Sequence, residues 1–193
     1  PVKAWETVRF SVMTHRGCHG ECNFCAIAVH QGRTIQSRSE DSVVAEVERM
    51  TTHPAFKGIV ADVGGPTANM YGYECAKKLR RGACADKRCT WPTVCSAMPV
   101  DHTPHMKLLR RLRRLPGVRK IFVASGIRTD LVAHDRAHGQ EYVEEIAAHH
   151  VSGQLKVAPE HFDDRILALM GKPPLDSILD FKERFERASA KAG

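Results

Sequence analysis

The chain has 193 residues, of which 42% are hydrophobic and 26% are charged, so it can bury a core and stay in solution. No apolar run approaches the ~20 residues of a membrane-spanning helix, and Lys3, Glu6 and Arg9 stand where a secretory signal would be apolar. Seven cysteines without such a signal argue against a disulfide framework. They favour metal binding or reactive thiols, and we expect a cytoplasmic protein.

The net charge of +7 is concentrated in one segment. Between Cys75 and Lys120 there are 13 Lys or Arg residues and only two acidic residues, Asp86 and Asp101. A basic segment of this kind can bind nucleic acid or another acidic partner. It can equally be a solvated helix face or the surroundings of a metal site, so both interpretations stay open.

The hydrophobic pattern predicts strands and helices in alternation. Strands are predicted over residues 7–14, 58–63, 120–125 and 155–158. Helices are predicted from a cap at Ser39 or Ser42 to about residue 52, from a cap at Thr103 to Pro116, over 140–149, over 163–170, and up to about residue 192. The stretch 66–101 has no clear period, and a stretch of this length is usually functional or held by metal.

Alternation of this kind predicts an α/β fold in which a parallel sheet is covered by helices. In parallel sheets and barrels, the chemistry lies at the carboxyl ends of the strands. These ends are residues 15–25, 64–70, 125–130 and 159–161. They carry the most unusual local sequences of the chain, so we expect the functional site there.

Residues 16–25 read RGCHGECNFC and place Cys18, Cys22 and Cys25 in a Cys-x3-Cys-x2-Cys arrangement. Thiolates are the usual ligands of iron–sulfur clusters, and a four-iron cluster with three thiolates has one iron open to another ligand. A zinc site is the alternative. The histidines that could complete it are His15, His19 and His30.

This cysteine spacing, with Phe24 before the third cysteine, resembles the signature of the radical S-adenosylmethionine (SAM) superfamily. The resemblance implies a 4Fe-4S cluster whose open iron binds SAM. It implies an enzyme that cleaves SAM reductively to methionine and a 5′-deoxyadenosyl radical, which abstracts a hydrogen atom from a substrate. It also implies an electron donor such as flavodoxin or ferredoxin.

The resemblance extends to the second and third strand ends. Gly64 and Gly65 resemble the glycine motif whose backbone contacts the SAM amino group, with Pro66 where many members carry Glu. Ser125 and Arg128 follow the third strand, and a guanidinium suits the SAM carboxylate. A simple turn at the glycines and a surface ion pair between Arg128 and Asp130 are the alternatives.

At the fourth strand end, residues 155–172 are similar to a segment of methylthiotransferase-like radical SAM proteins. The similarity puts Lys156, Glu160 and His161 near the SAM ribose or the substrate. A Glu-His pair at a strand end could also cap the following helix.

Nearly the whole chain is similar to the YgiQ-type radical SAM proteins, a family of unassigned reaction. The matching strings are SVMTHRGCHGECNFCAI, QGRTIQSRSEDS, DVGGPTANMYG, DHTP, SGIRTDL and KVAPEH. Members are longer, and the superfamily core is a partial (βα)6 barrel. Because four strands are predicted here, we expect residues 1–193 to be one truncated, TIM-like radical SAM core with a cysteine-rich insertion at about 70–101.

Four more cysteines, Cys75, Cys84, Cys89 and Cys95, lie in that insertion. Four thiolates suit a closed zinc site or a second iron–sulfur cluster, and free buried thiols are the third interpretation. The alternative to an enzyme is a zinc-stabilised basic module that binds RNA without catalysis. Its basic segment offers only Trp91 for base stacking, which weakens that alternative.

Overall fold

The computed structural model describes residues 2–193 and has an α/β architecture of short strands and nine α-helices within those residues. The strands are β1 (Ser11–Met13), β2 (His15–Arg16), β3 (Gln36–Ser37), β4 (Ile59–Val60), β5 (Asp62–Gly64) and β6 (Lys120–Ile121). The helices are α1 (Trp5–Val8), α2 (Ile27–Gln31), α3 (Glu40–Thr51), α4 (Ala76–Arg81), α5 (Thr103–Leu112), α6 (Thr129–His134), α7 (Gly139–His149), α8 (Asp164–Met170) and α9 (Leu175–Ala192).

Two of the three strand pairs are parallel, as the sequence predicts. β1 pairs with β5, with Ser11 opposite Asp62, and β4 pairs with β6, with Ile59 opposite Lys120. β2 and β3 form a short antiparallel pair that was not predicted. The α/β class is therefore confirmed, whereas residues 2–193 show no closed barrel.

Backbone hydrogen bonds join the parallel pairs into one series in chain order. The Val63 amide donates to the Phe122 carbonyl over 2.9 Å, and the Phe122 amide donates to the Val60 carbonyl over 3.0 Å. Next in the series, Ile127 and Val157 form a parallel bridge. The carboxyl ends of these segments consequently meet on one side of the fold.

The core lies between this series of strands and the helices. The Ser39 hydroxyl accepts a hydrogen bond from the Ser42 amide at the start of α3, as the predicted cap requires. Apolar residues at helical spacing on α3 and α5 then pack on the strands. They are fully or almost fully buried: Val43, Val44, Val47, Leu108, Leu109 and Leu112.

The predicted strands are longer than the observed ones. Residues 7–14 begin in α1, a single turn in which the Trp5 amide donates to the Val2 carbonyl, so only Ser11–Met13 is strand. The segment 58–63 is split at Ala61, whose amide donates to the Phe10 carbonyl. The predicted strand 155–158 is reduced to the bridge at Val157. The regular strand pattern is interrupted where the backbone of a segment stops hydrogen-bonding to one neighbouring strand and begins bonding to another.

Several helix ends also differ from the prediction. The N-cap of α5 is His102 rather than Thr103, whose amide donates to the Asp101 carboxylate over 2.8 Å. The helices α2, α4 and α6 were not predicted, because each has only five or six residues and no clear apolar period. By contrast, α7, α8 and α9 lie where the sequence places them.

Candidate functional site

Cys18, Cys22 and Cys25 face one cavity of about 200 Å³ at the carboxyl ends of the strand series. Phe24, Arg128 and Glu160, which come from three different predicted strand ends, line the same cavity. The structure thus brings residues from three of the predicted strand ends to one cavity. No three His, Cys, Asp or Glu side chains within residues 2–193 are placed to share a single metal ion.

The cysteine loop is held in shape by its own backbone. Gly17 has a φ of 89°, and a Cβ there would collide with the Thr34 carbonyl, so the position requires glycine. The Cys18 amide donates to the Gly32 carbonyl over 3.1 Å, and the Cys25 amide donates to the Cys22 carbonyl over 3.1 Å. These contacts direct the three thiols toward the cavity.

Gly20 leaves a hollow between two of the thiols. A Cβ there would lie 3.3 Å from Cys18 Sγ, 3.5 Å from Cys22 Sγ and 2.9 Å from Arg128 Nη1. The Gly20 amide also donates to Cys18 Sγ over 3.3 Å. Thiols with a backbone donor and a guanidinium beside them suit an anionic iron–sulfur cluster, so the residues fit the group that the cysteine motif implies.

Two of the three histidines of the zinc alternative have polar partners away from the cysteines. His15 Nδ1 lies 2.9 Å from the Thr14 hydroxyl, and His19 Nδ1 lies 3.0 Å from Lys78 Nζ. Burial lowers the pKa of His15 to about 4 and that of His19 to about 3. Neither of them, nor His30 on α2, lines the cavity with the cysteines.

Arg128 is buried and makes a two-point ion pair with Asp130. Its Nε lies 2.9 Å from Oδ1 and its Nη2 lies 2.5 Å from Oδ2. Burial by itself would lower the pKa of Arg128, but the carboxylate outweighs burial and raises it. The third nitrogen, Nη1, lies 3.9 Å from Cys22 Sγ. The ion pair that the sequence suggested thus exists, but it is buried rather than on the surface.

Gly64, Gly65 and Ser125 lie beside the cavity without lining it. A Cβ on Gly64 would lie 2.5 Å from Ser125 Oγ, and one on Gly65 would lie 2.6 Å from the His15 ring. The Asp62 carboxylate accepts the Ser125 amide over 3.0 Å and also the Ser125 hydroxyl. The glycines allow close packing of strand ends, whereas Pro66, Thr67 and Gly126 reach the cavity wall.

The fourth strand end contributes one of its three predicted residues to the cavity. Glu160, with a φ of 71°, lies 3.5 Å from Lys172 Nζ, which in turn lies 6.0 Å above the Phe24 ring. His161 Nδ1 accepts the amide of Asp163, the N-cap residue of α8, over 2.9 Å, and neither His161 nor Lys156 reaches the cavity wall. Lys172 was missed as a site residue although it ends the quoted segment 155–172.

The second cysteine group surrounds a smaller cavity of about 40 Å³, lined by all four thiols together with basic side chains. Cys75 and Cys89 are buried, Cys84 and Cys95 are half-buried, and burial raises the pKa of the Cys89 thiol. None of the seven cysteines forms a disulfide within the part of the chain that the structure describes. The cysteine-rich segment therefore places its four thiols around one small cavity.

The basic face of α5 is largely paired with acids. Arg111 Nη1 lies 2.9 Å from Glu40 and 2.7 Å from Asp41, and Arg110 Nε lies 2.7 Å from Glu145. The positive charge of these residues is thus partly neutralised within the fold. A nucleic-acid partner stays a prediction that these contacts do not support.

The sequence model of the radical SAM superfamily matches residues 12–191. A UPF0313 protein of Fusobacterium nucleatum is 52% identical over 192 residues, which cover 100% of this chain and 34% of that relative. A UPF0313 protein of Methanosarcina mazei is 50% identical over 193 residues, covering 100% and 30%. One of Clostridium perfringens is 47% identical over 192 residues, covering 100% and 29%.

This chain thus spans about a third of the length of the curated relatives it matches. No helix within residues 2–193 combines the length and the apolar character that crossing a bilayer requires. The match covers nearly the whole chain and includes the three cysteines of the larger cavity. The chain belongs to the radical SAM superfamily.

Proposed function

We propose that this chain is the core of a radical SAM enzyme in which Cys18, Cys22 and Cys25 hold a 4Fe-4S cluster and SAM binds at the remaining iron. The observation that carries the proposal is the convergence of the three thiols on one cavity at the carboxyl ends of parallel strands. Membership of the superfamily supports the same conclusion.

When bound, the cluster supplies one electron to SAM, whose cleavage gives methionine and a 5′-deoxyadenosyl radical that takes a hydrogen atom from the substrate. The chain's own residues orient and enclose these groups. Phe24 and Ile127 provide apolar walls, and Glu160 with Lys172 places a charged pair where ribose hydroxyls or a substrate can be hydrogen-bonded. Gly64 lets the second strand end approach Ser125 of the third closely, and Gly65 lets it approach the His15 ring.

The same proposal includes the setting of the reaction. The fold is that of part of a (βα) TIM-like barrel, the protein is cytoplasmic, and a flavodoxin or ferredoxin supplies the electron. Such a donor would bring the cluster held by the three cysteines to its reduced form. Substrate and reaction type belong to the whole protein, whose relatives are about three times as long as this chain.

The test is anaerobic reconstitution with iron and sulfide, followed by reduction and EPR before and after addition of SAM. We expect a reduced-cluster signal that changes with SAM and is lost in Cys22→Ala. The control is Val29→Ala, on the exposed side of α2 next to the loop, which should keep the SAM-dependent change. A chain that takes up zinc but no cluster would overturn the enzyme and favour the zinc-stabilised RNA-binding module.

We infer a second metal site at the other cysteine group, because its four thiols line one cavity. No three of them are placed to share one ion within residues 2–193, so the thiols would have to draw together when the metal binds. The choice between zinc and iron–sulfur is made by measurement. Iron, sulfide and zinc are determined in the Cys18→Ala, Cys22→Ala, Cys25→Ala triple variant, which should retain one of these metals. Adding Cys84→Ala and Cys95→Ala should remove it. A triple variant that holds neither zinc nor iron would contradict the second site.

A further inference from the structure

Arg128 directs its free guanidinium nitrogen at the cysteine loop. Asp130 occupies Nε and Nη2, which leaves Nη1 as the donor that faces the cavity. Nη1 lies 3.9 Å from Cys22 Sγ, within reach of a long hydrogen bond to sulfur, and it fills the hollow that Gly20 leaves. The nearest acceptor for this guanidinium, apart from Asp130, is thus a thiol that the proposed function assigns to the cluster.

A buried amide clamps the backbone of Arg128 in this position. Asn69 Oδ1 accepts the Arg128 amide over 2.9 Å, and Asn69 Nδ2 donates to the Arg128 carbonyl over 2.9 Å. Asn69 is 1% exposed and lies in the short 3-10 helix Ala68–Met70 after the second strand end. The contact therefore joins the second and third strand ends directly beneath the cavity.

Two further buried groups fix the orientation of that amide. Asn69 Nδ2 lies 3.2 Å from His102 Nε2, and His102 Nδ1 lies 2.7 Å from Asp135 Oδ2. Since the carboxylate requires a proton on Nδ1, Nε2 is the acceptor and Asn69 is its donor. The amide cannot flip without losing this bond. His102 belongs to the DHTP string, for which the proposed function has no other use.

We propose that Arg128 acts on the cluster through the sulfur of Cys22 rather than on the SAM carboxylate, with Asn69, His102 and Asp135 as its positioning residues. The inference rests on the proposed function. A positive donor beside a cluster thiolate stabilises the reduced form, which carries one more negative charge, and so makes the reduction potential more positive. Asp130 offsets part of that charge, so the two residues act on the potential in opposite directions.

The experiment is an anaerobic redox titration of the reconstituted chain, in which the EPR signal of the reduced cluster is recorded at each potential. Arg128→Gln should shift the midpoint potential to a more negative value, and Asp130→Asn should shift it to a more positive value. Asn69→Ala should shift it in the same direction as Arg128→Gln but by less, because the guanidinium is loosened and not removed. The matched control is Arg110→Gln, which removes a paired arginine of α5 that lines neither cysteine cavity and should leave the potential unchanged.

A SAM titration of the same samples separates the two roles of Arg128. If Arg128 serves the cluster, the dissociation constant of SAM changes much less than about tenfold, the change expected on losing about 1.4 kcal/mol of binding energy. A large loss of SAM binding at an unchanged potential would overturn the inference in favour of a carboxylate contact. If Arg128→Gln takes up no cluster, the test rests on Asp130→Asn. A midpoint potential of Asp130→Asn that is unchanged or more negative than that of the wild type contradicts the inference.

The wild-type chain distinguishes failure of the inference from failure of the proposed function. No cluster in the wild type overturns the proposed function and this inference with it. The inference alone is overturned if the wild-type cluster responds to SAM and the midpoint potentials of Arg128→Gln and Asp130→Asn both equal that of the wild type.

Discussion

His105 makes the stability of this fold depend on pH. Its ring is buried on α5, with Nδ1 3.1 Å from the Tyr142 hydroxyl. Burial lowers its pKa from 6.5 to about 3, and nearby His15 and His102 add a smaller repulsion between charges. Below about pH 6.5, His105 therefore binds a proton in the unfolded chain but stays neutral in the folded chain. The contribution of His105 to the free energy of unfolding is fully present above that pH, and it is lost as the pH falls toward the folded pKa of about 3.

The size of the effect follows from this difference in pKa. Each pH unit inside the window removes about 1.4 kcal/mol of stability for one such proton. Between about pH 7 and about pH 4.5 the loss from His105 alone is about 2.5 kcal/mol, a large share of the 5–15 kcal/mol typical of a whole domain. In His105→Leu this contribution disappears. The variant should therefore lose about 2.5 kcal/mol less than the wild type over the same interval.

The assay is urea unfolding of the reduced chain at both pH values, followed by circular dichroism. His134→Leu is the control, because this histidine is exposed at the end of α6 and stays in contact with water in both states. It should lose as much stability on acidification as the wild type. Equal losses in His105→Leu and the wild type would refute the reasoning, since they would mean that the buried ring accepts its proton in the folded chain.

Two further predictions concern packing. Gly64→Ala places a Cβ 2.5 Å from Ser125 Oγ, so we expect a loss of about 1–3 kcal/mol in urea unfolding, and an unchanged midpoint would contradict the close approach of these strand ends. Leu112→Ala empties a fully buried position in the core and should cost about 2–5 kcal/mol, whereas Leu179→Ala, half-exposed on α9, should change stability much less. Similar losses in both leucine variants would show that α5 does not pack as described.

The longer helices could be predicted because their signals are local. Ser39 caps α3, valines at helical spacing follow it, and Asp163 caps α8 by accepting the Arg165 amide. The strands could be predicted only in part. Each is two or three residues long and is held by neighbours far away in the sequence, as in the hydrogen bond from Val63 to Phe122. Periodicity within a strand does not contain that information.

The residues of the candidate site also differ in whether local sequence could predict them. The three cysteines, Phe24, Arg128 and Glu160 could be predicted from a motif and from strand ends. Lys172 and Thr67 lie in the predicted segments 155–172 and 64–70 but were not singled out, because their reach into the cavity depends on how those segments are arranged in the fold. Ser125 stands at a strand end, yet its hydroxyl is bound by the Asp62 carboxylate and not offered to the cavity.

The two cysteine groups, separate in the sequence, are joined by a buried cation. Lys78 of α4 is 3% exposed, and its ammonium lies 3.0 Å from Glu74 and 3.0 Å from His19 Nδ1 in the first cysteine loop. The Thr90 hydroxyl, next to Cys89, donates to the His19 carbonyl over 3.3 Å. A buried charge is retained at a cost in desolvation and needs every one of its partners. The cysteine-rich segment therefore supports the loop that presents the first three thiols.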